Sequence, residues 1–239
     1  MNQVASHTLK SFDNELQQLR ALIGAMGGLA EAQVVAAIDA LGRRDVDSAM
    51  RVVADDKRID AIETEAEKLA ITTIALRAPM ADDLREIIAA LKISNMLERV
   101  GDYATNIAKR TTVLAQSAPI QPAVIIPEMG RAVASMIKDA LDAYADRDAE
   151  LAFEVTERDA VVDDLYAALF RSLLTYMMEN PHHITPSAHL LFIAKNLERI
   201  GDHATNIAEV VYFSVTGHHI ADRPKGDDPY ALLRAEDRA

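Results

Sequence analysis

Two stretches of this chain carry acids and amides at spacings suited to holding a cation. LERVGDYATNIAKR, residues 97–110, returns as LERIGDHATNIAEV, residues 197–210. Glu98, Arg99, Gly101, Asp102 and Asn106 therefore meet their own residue types again, 100 positions later, in Glu198, Arg199, Gly201, Asp202 and Asn206. A repeat held by packing alone would keep its apolar positions and let the charged ones drift. Upstream, Asp56-x-x-x-Asp60 matches Asp159-x-x-x-Asp163, and Arg44-Asp45 matches Arg147-Asp148, at an offset of 103. A shorter helix–helix connection in the second half absorbs the difference between the two offsets.

On a helix, Glu98, Asp102 and Asn106 fall within about 80° of one another. That face lies roughly opposite the apolar stripe through Val100 and Ala104. Glu198, Asp202 and Asn206 repeat the arrangement. Asp56, Asp60, Glu63 and Glu67 form a second acidic stripe, whose counterpart keeps Asp159 and Asp163 and then changes to Tyr166 and Phe170. Such faces are often merely solvated, with Arg99 and Arg199 as ion-pair partners. Yet like charges at i, i+4 cost a few tenths of a kcal/mol per pair, and here the pairs recur on four segments at matching places. A bound cation removes that cost. Carboxylate and Asn amide oxygens are hard donors, suited to Mg²⁺, Ca²⁺, Mn²⁺ or iron. The expectation is two metal-binding surfaces, Glu98, Asp102, Asp56 and Asp60 with Asn106, and Glu198, Asp202, Asp159 and Asp163 with Asn206.

The elements that must position these residues are helices. Leu9, Phe12, Leu16, Leu19, Ile23 and Met26, then Val34, Ile38 and Leu41, keep one helical face. Gly24, Gly27 and Gly28 mark close packing or a kink within it, and a stop near Gly42 precedes a new N-cap at Asp45. A second helix spans about 45–77, with Ile59, Ile62, Ala66, Leu69 and Leu76 inward. A third spans about 81–115, through Ile93, Leu97, Val100, Ala104 and Ile107. The second half repeats the plan over about 127–145 (Met129, Val133, Met136, Ala140), 147–179 (Val162, Leu165, Leu169, Tyr176) and 187–215 (Ile193, Leu197, Ile200, Ala204, Ile207, Val211). Met177 and Met178 are read as packing with Met129 and Met136. The fold expected is all-α, two tandem three-helix bundles over 8–115 and 127–216, joined by a Pro-rich linker at 116–126 and followed by a polar tail at 217–239.

Composition narrows the function. The chain has 239 residues, no Cys and a formal net charge of −12. Thiolate metal sites and disulfides are excluded, and nucleic-acid binding is disfavoured because its leading electrostatic contribution would be repulsive. The polar N-terminal stretch does not read as a signal peptide, and Glu31, Gln33 and Asp39 argue against a membrane span at 21–42. The expected location is the cytoplasm. His182-His183 and His218-His219 read as solvated. No Gly-rich phosphate loop and no Ser-His-Asp set is visible.

The duplicated E-R-[VI]-G-D-x-A-T-N-I-A, the upstream D-x-x-x-D, and the segments DDLR (82–85) and VYFSVTG (211–217) resemble the PhoU family of phosphate-uptake regulators over nearly the whole chain. The resemblance implies multinuclear metal sites on Glu98, Asp102, Glu198 and Asp202, partnered by Asp56, Asp60, Asp159 and Asp163, with iron, zinc, manganese or magnesium as the metal. It implies a negative regulator of phosphate-starvation signalling, a homodimer that couples the ATPase subunit of a phosphate ABC transporter to a phosphate-sensing histidine kinase and reaches the membrane only through them. Tyr103 faces His203 in the repeat, so the two sites need not be identical. The competing readings are a metal-dependent phosphohydrolase and a metal-storing helical protein. The first is disfavoured by outward-facing acids, the second by the lack of inward Glu-x-x-His pairs.

Overall fold

The computed structural model describes the backbone of residues 2–220 and the side chains of residues 11–220. Leu9 and the tail beyond 220 lie outside the described side chains. Every described element is helical. α1 is Asn2–Arg43, α2 Val46–Asp55, α3 Lys57–Arg77, α4 Ala81–Leu114, α5 Ile126–Asp146, α6 Ala149–Glu157, α7 Asp159–Glu179 and α8 Ile184–Thr216, with short 3-10 turns at Gln121–Ile125 and Pro181–His183. Among the described residues six long helical paths run through the chain, three per half. The second path of each half is broken.

The breaks correct the expectation of continuous helices at 45–77 and 147–179. They fall at Asp56 and Arg158, within a residue of matching places in the repeat. At the second, Arg158 N–H turns back to the Val155 carbonyl at 3.1 Å, the tighter i, i+3 closure of a 3-10 turn. The apolar period carries through each break, which is why the sequence pattern reads as one helix.

The Arg-Asp pairs are junctions. Arg44 and Arg147 adopt left-handed φ values of 57° and 55°, ending α1 and α5 as αL residues do. The Asp that follows each caps the next helix: Asp45 accepts from Ser48 N–H at 2.9 Å, and Asp148 from Glu150 N–H at 2.9 Å and Leu151 N–H at 3.0 Å. The stop therefore falls two residues past Gly42.

Each half wraps its helices around one long spine, α4 or α8. The spines pack on each other, and α1 packs on α5. The stripes through Leu97 and Leu197 are buried, and a single core runs from Leu16 to Val211 through both halves. The 116–126 linker joins in, burying Ile120 and Pro122. The α1–α5 contact is reciprocal. A Cβ on Gly27 would meet Leu141, and one on Gly130 would meet Ile38. Gly27 answers to Gly130, and Ile38 to Leu141, at the repeat offset of 103, so an approximate two-fold axis relates the halves. Gly27 thus marks close packing, and α1 continues unbroken through it.

Two expected core positions face outward: Leu76 is 70% exposed and Met178 is 87% exposed. α1 is long and apolar enough by length and composition to span a bilayer. Its apolar face is used inside the protein, where Leu19, Ile23, Met26, Ala30 and Val34 are buried.

Candidate functional site

The helix breaks bring the acids together. Asp56 sits at the break before α3, and Asp60 lies in the first turn of α3, where the helix dipole favours negative charge. α4 passes this point at Gly101. A Cβ there would come 2.9 Å from Ile59 Cδ1, 3.2 Å from Gln33 Oε1 and 3.3 Å from Asp56 Oδ1, so the glycine of the motif is what lets α4 approach the break. In the second half Asp159 opens α7 opposite Gly201, with a looser fit of 3.7 Å to Asp159 Oδ1. Thr205 Oγ1 donates to Asp159 at 3.2 Å.

The first surface gathers Asp56, Asp60 and Glu63 from the break and α3, and Glu98 and Asp102 from α4. Burial, with repulsion added to it, raises the pKa of three of them. Glu98 is pushed up to about 6 by burial first, then by Asp102 and Glu63, with Arg99 opposing. Asp56 is raised by burial, then by Asp60 and Asp102. Glu63 is raised by burial, then by Glu67, Asp60 and Asp102, against a hydrogen bond from Asn95 at 3.4 Å. Arg99 reaches Asp102 only at 3.8 Å, from an exposed position. Asn106 is exposed beyond this group.

The second surface joins Asp159 and Asp163 of α7 to Glu198 and Asp202 of α8. Asp202 is pushed up to about 6 by burial first, then by Glu198 and Asp163. Asp163 is raised by burial and by Glu198. A cation of the protein's own is already present: Lys195 Nζ lies 2.6 Å from Glu198 Oε1 and 5.5 Å from the centre of the Tyr166 ring.

The structure thus gathers the predicted acids into two repeat-related groups, and all of them but the exposed Asp60 are at least partly withdrawn from solvent. Asp159 is only 5% exposed, and Asp56, Asp163, Glu98, Glu198, Asp102 and Asp202 are half-buried. Among the described residues no three His, Asp or Glu side chains already converge as a coordination shell; a cation would have to draw them in. The donor set nonetheless fits a hard cation. The acids repel one another, and Gln33 Oε1 is buried beside Asp56 without a hydrogen-bond partner.

Sequence reasoning missed Gln33 and Lys195 as members. Gln33 left a signal, because it interrupts an apolar stripe seven residues after Met26 and three after Ala30. Lys195 is three residues before Glu198, a helical neighbour position. Between the surfaces, Tyr103 stacks on His203 at 5.6 Å across the α4–α8 seam, and Arg99 and Arg199 each lie 5.8 Å from the Tyr103 ring.

Comparison with known proteins locates the arrangement. The family model described as the PhoU domain matches residues 23–111 and again 126–211. The phosphate-specific transport system accessory protein PhoU homolog of Zymomonas mobilis is 54% identical over 96% of each chain, and that of Caulobacter vibrioides is 50% identical over 94% of this chain and 98% of its own. Among solved structures, the crystal structure of PhoU from Pseudomonas aeruginosa superposes with a TM-score of 0.84 at 40% identity, over 87% of this chain and 100% of that one. The phosphate transport system regulatory protein PhoU from Streptococcus pneumoniae gives 0.82 at 27% identity, over 88% of this chain and 100% of that one.

Proposed function

The chain belongs to the PhoU family, and on that premise we propose that it is a negative regulator of phosphate uptake and of phosphate-starvation signalling. It acts in the cytoplasm as a homodimeric adaptor between the ATPase subunit of a phosphate ABC transporter and a phosphate-sensing histidine kinase. The observation that carries the reading is the pair of repeat-related acidic surfaces. Each joins two helices of one half through carboxylates whose repulsion the nearby Arg99, Lys195 and Arg199 offset only in part, which leaves a place for further counter-charge. Divalent or trivalent cations, held by Asp56, Asp60, Glu98 and Asp102 and by Asp159, Asp163, Glu198 and Asp202, supply that charge and brace the helices against each other. The protein's part is to present a firm docking face. We read it as a regulator rather than a catalyst, because catalysis needs a reacting group positioned in a site that excludes water, and these acids are withdrawn from water unevenly, from the exposed Asp60 to the buried Asp159.

Deleting the gene in its own host tests this. Phosphate-starvation promoters should stay on in phosphate-replete cells, and uptake should run unrestrained. Tagged kinase and ATPase subunit should each retain the protein, and chelator should weaken that retention. Normal repression in a strain with no second copy overturns the reading. So does metal-dependent turnover of a phosphate ester at about 1 s⁻¹ or faster.

A further inference from the structure

The two surfaces share a plan but differ in the residues that decide how strongly each holds a cation. Gln33 of α1 is 6% exposed, and its Oε1 is buried without a hydrogen-bond partner. It lies beside Gly101, as Asp56 Oδ1 does: a Cβ at Gly101 would meet the two oxygens at 3.2 and 3.3 Å. The repeat puts Met136 in the corresponding place, and Met136 is wholly in the core. Glu63 and Glu67 of the first half correspond to Tyr166 and Phe170, and Asn95 corresponds to Lys195.

The first surface is therefore richer in oxygen donors; of the cations near it, Arg99 stands at 3.8 Å from Asp102 on the outside, and Lys109 bears on Asp56. The second has fewer acids. Its Lys195 ammonium holds Glu198 at 2.6 Å, with the Glu198 side chain only 14% exposed. The other Glu198 oxygen, Oε2, is buried without a hydrogen-bond partner.

We propose that the two surfaces are unequal cation sites: the first, completed by the Gln33 amide oxygen, is the strong site for a hard divalent cation, and the second is held weak by Lys195, which acts as a built-in counter-ion that a metal must displace from Glu198. The inference rests on the metal-binding part of the proposed function. Its physics is direct. An amide oxygen already buried and unpartnered gains a partner when a cation arrives, with no hydrogen bond lost. An ammonium within contact of a carboxylate opposes a second cation there.

The test is Mn²⁺ binding to the full-length protein stripped with chelator, followed by equilibrium dialysis and by the loss of the free-Mn²⁺ paramagnetic signal. The wild type should show two classes of site separated by at least about tenfold in Kd. Lys195→Gln should tighten only the weak class by about tenfold or more. Gln33→Met copies the side chain already present in the other half, so it keeps the core apolar; it should weaken only the strong class, again by about tenfold. Asp202→Asn should remove the weak class and Asp102→Asn the strong one, which assigns each class to its surface. Two equal classes, with Lys195→Gln and Gln33→Met both silent, overturn the inequality and leave the metal reading intact. An assignment in which the strong class follows Asp202 overturns it likewise. No Mn²⁺ uptake by the wild type overturns both.

Discussion

At the scale of single residues, one acid of each surface stands out as holding its charge at a cost to the fold. Glu98 and Asp202 are each pushed up to about 6, from ordinary values of 4.5 and 3.8, by burial and by neighbouring carboxylates. A carboxylate whose folded pKa is raised destabilises the fold where it is charged. The penalty is fully present above the folded value of about 6 and vanishes below the unfolded value. In chelator at about pH 7.5, Glu98→Gln and Asp202→Asn should therefore each raise the stability of the metal-free protein. After allowance for solvent screening, the gain is about 1 kcal/mol, or a few degrees in Tm. The gain over wild type should close as pH falls from about 6 toward about 4. Thermal melts of wild type and variants across that range check it, and a gain that grows on acidification would contradict the assignment. Taking each variant against wild type at the same pH cancels the opposite slope from His189 and His203, whose pKa values burial depresses.

At the scale of elements, contacts decide which glycines matter. Gly24 and Gly28 have open space where a Cβ would stand. Alanine there should stabilise α1 by up to about 1 kcal/mol each, through helix propensity alone. Gly130 is different. A Cβ would lie 2.8 Å from Ile38 Cγ1 and 3.1 Å from its Cγ2, and a β-branched side chain has few rotamers into which to retreat. Gly130→Ala should therefore destabilise by about 1–3 kcal/mol as α1 and α5 are forced apart. Urea melts of the three variants give the comparison, and equal shifts for Gly28→Ala and Gly130→Ala would refute the close crossing. At the acidic surfaces the same logic separates the halves: Gly201 has ordinary contact distances where Gly101 is tight.

At the scale of the whole molecule, the repeat makes one body rather than two. The core is continuous, the spines α4 and α8 pack along each other, and Glu86 on α4 accepts from Arg20 of α1 at 2.6 Å and from Arg147 at the α5–α6 junction at 2.5 Å. That junction ties the second half to the first through a half-buried ion triad. Unfolding should therefore be a single cooperative transition. Calorimetric and van't Hoff enthalpies should agree, and far-UV dichroism should follow one curve. Two resolved transitions would show that the halves fold as separate domains, as a tandem pair joined by a linker would.

Much of this was legible without coordinates. Helices announced themselves by the 3.6-residue recurrence of Ile93, Leu97, Val100, Ala104 and Ile107, because burying one face is a local constraint that sequence records directly. The eight acids were legible because their identities recur with the repeat. The breaks at Asp56 and Arg158 were not, since the apolar period runs through them and no Pro or Gly marks them. Neither was the half-burial of the acids, which depends on how closely α4 and α8 pass the breaks at Gly101 and Gly201. The reciprocal seating of Leu141 on Gly27 and Ile38 on Gly130 was also invisible, as were the approach of Gln33 to Asp56 and the gathering of Lys195 with Tyr166 and Asp163. These are contacts between segments far apart in the chain. Periodicity specifies which face of a helix is buried; only the packing of one helix against another decides what that face meets, and how much water is left beside a charge.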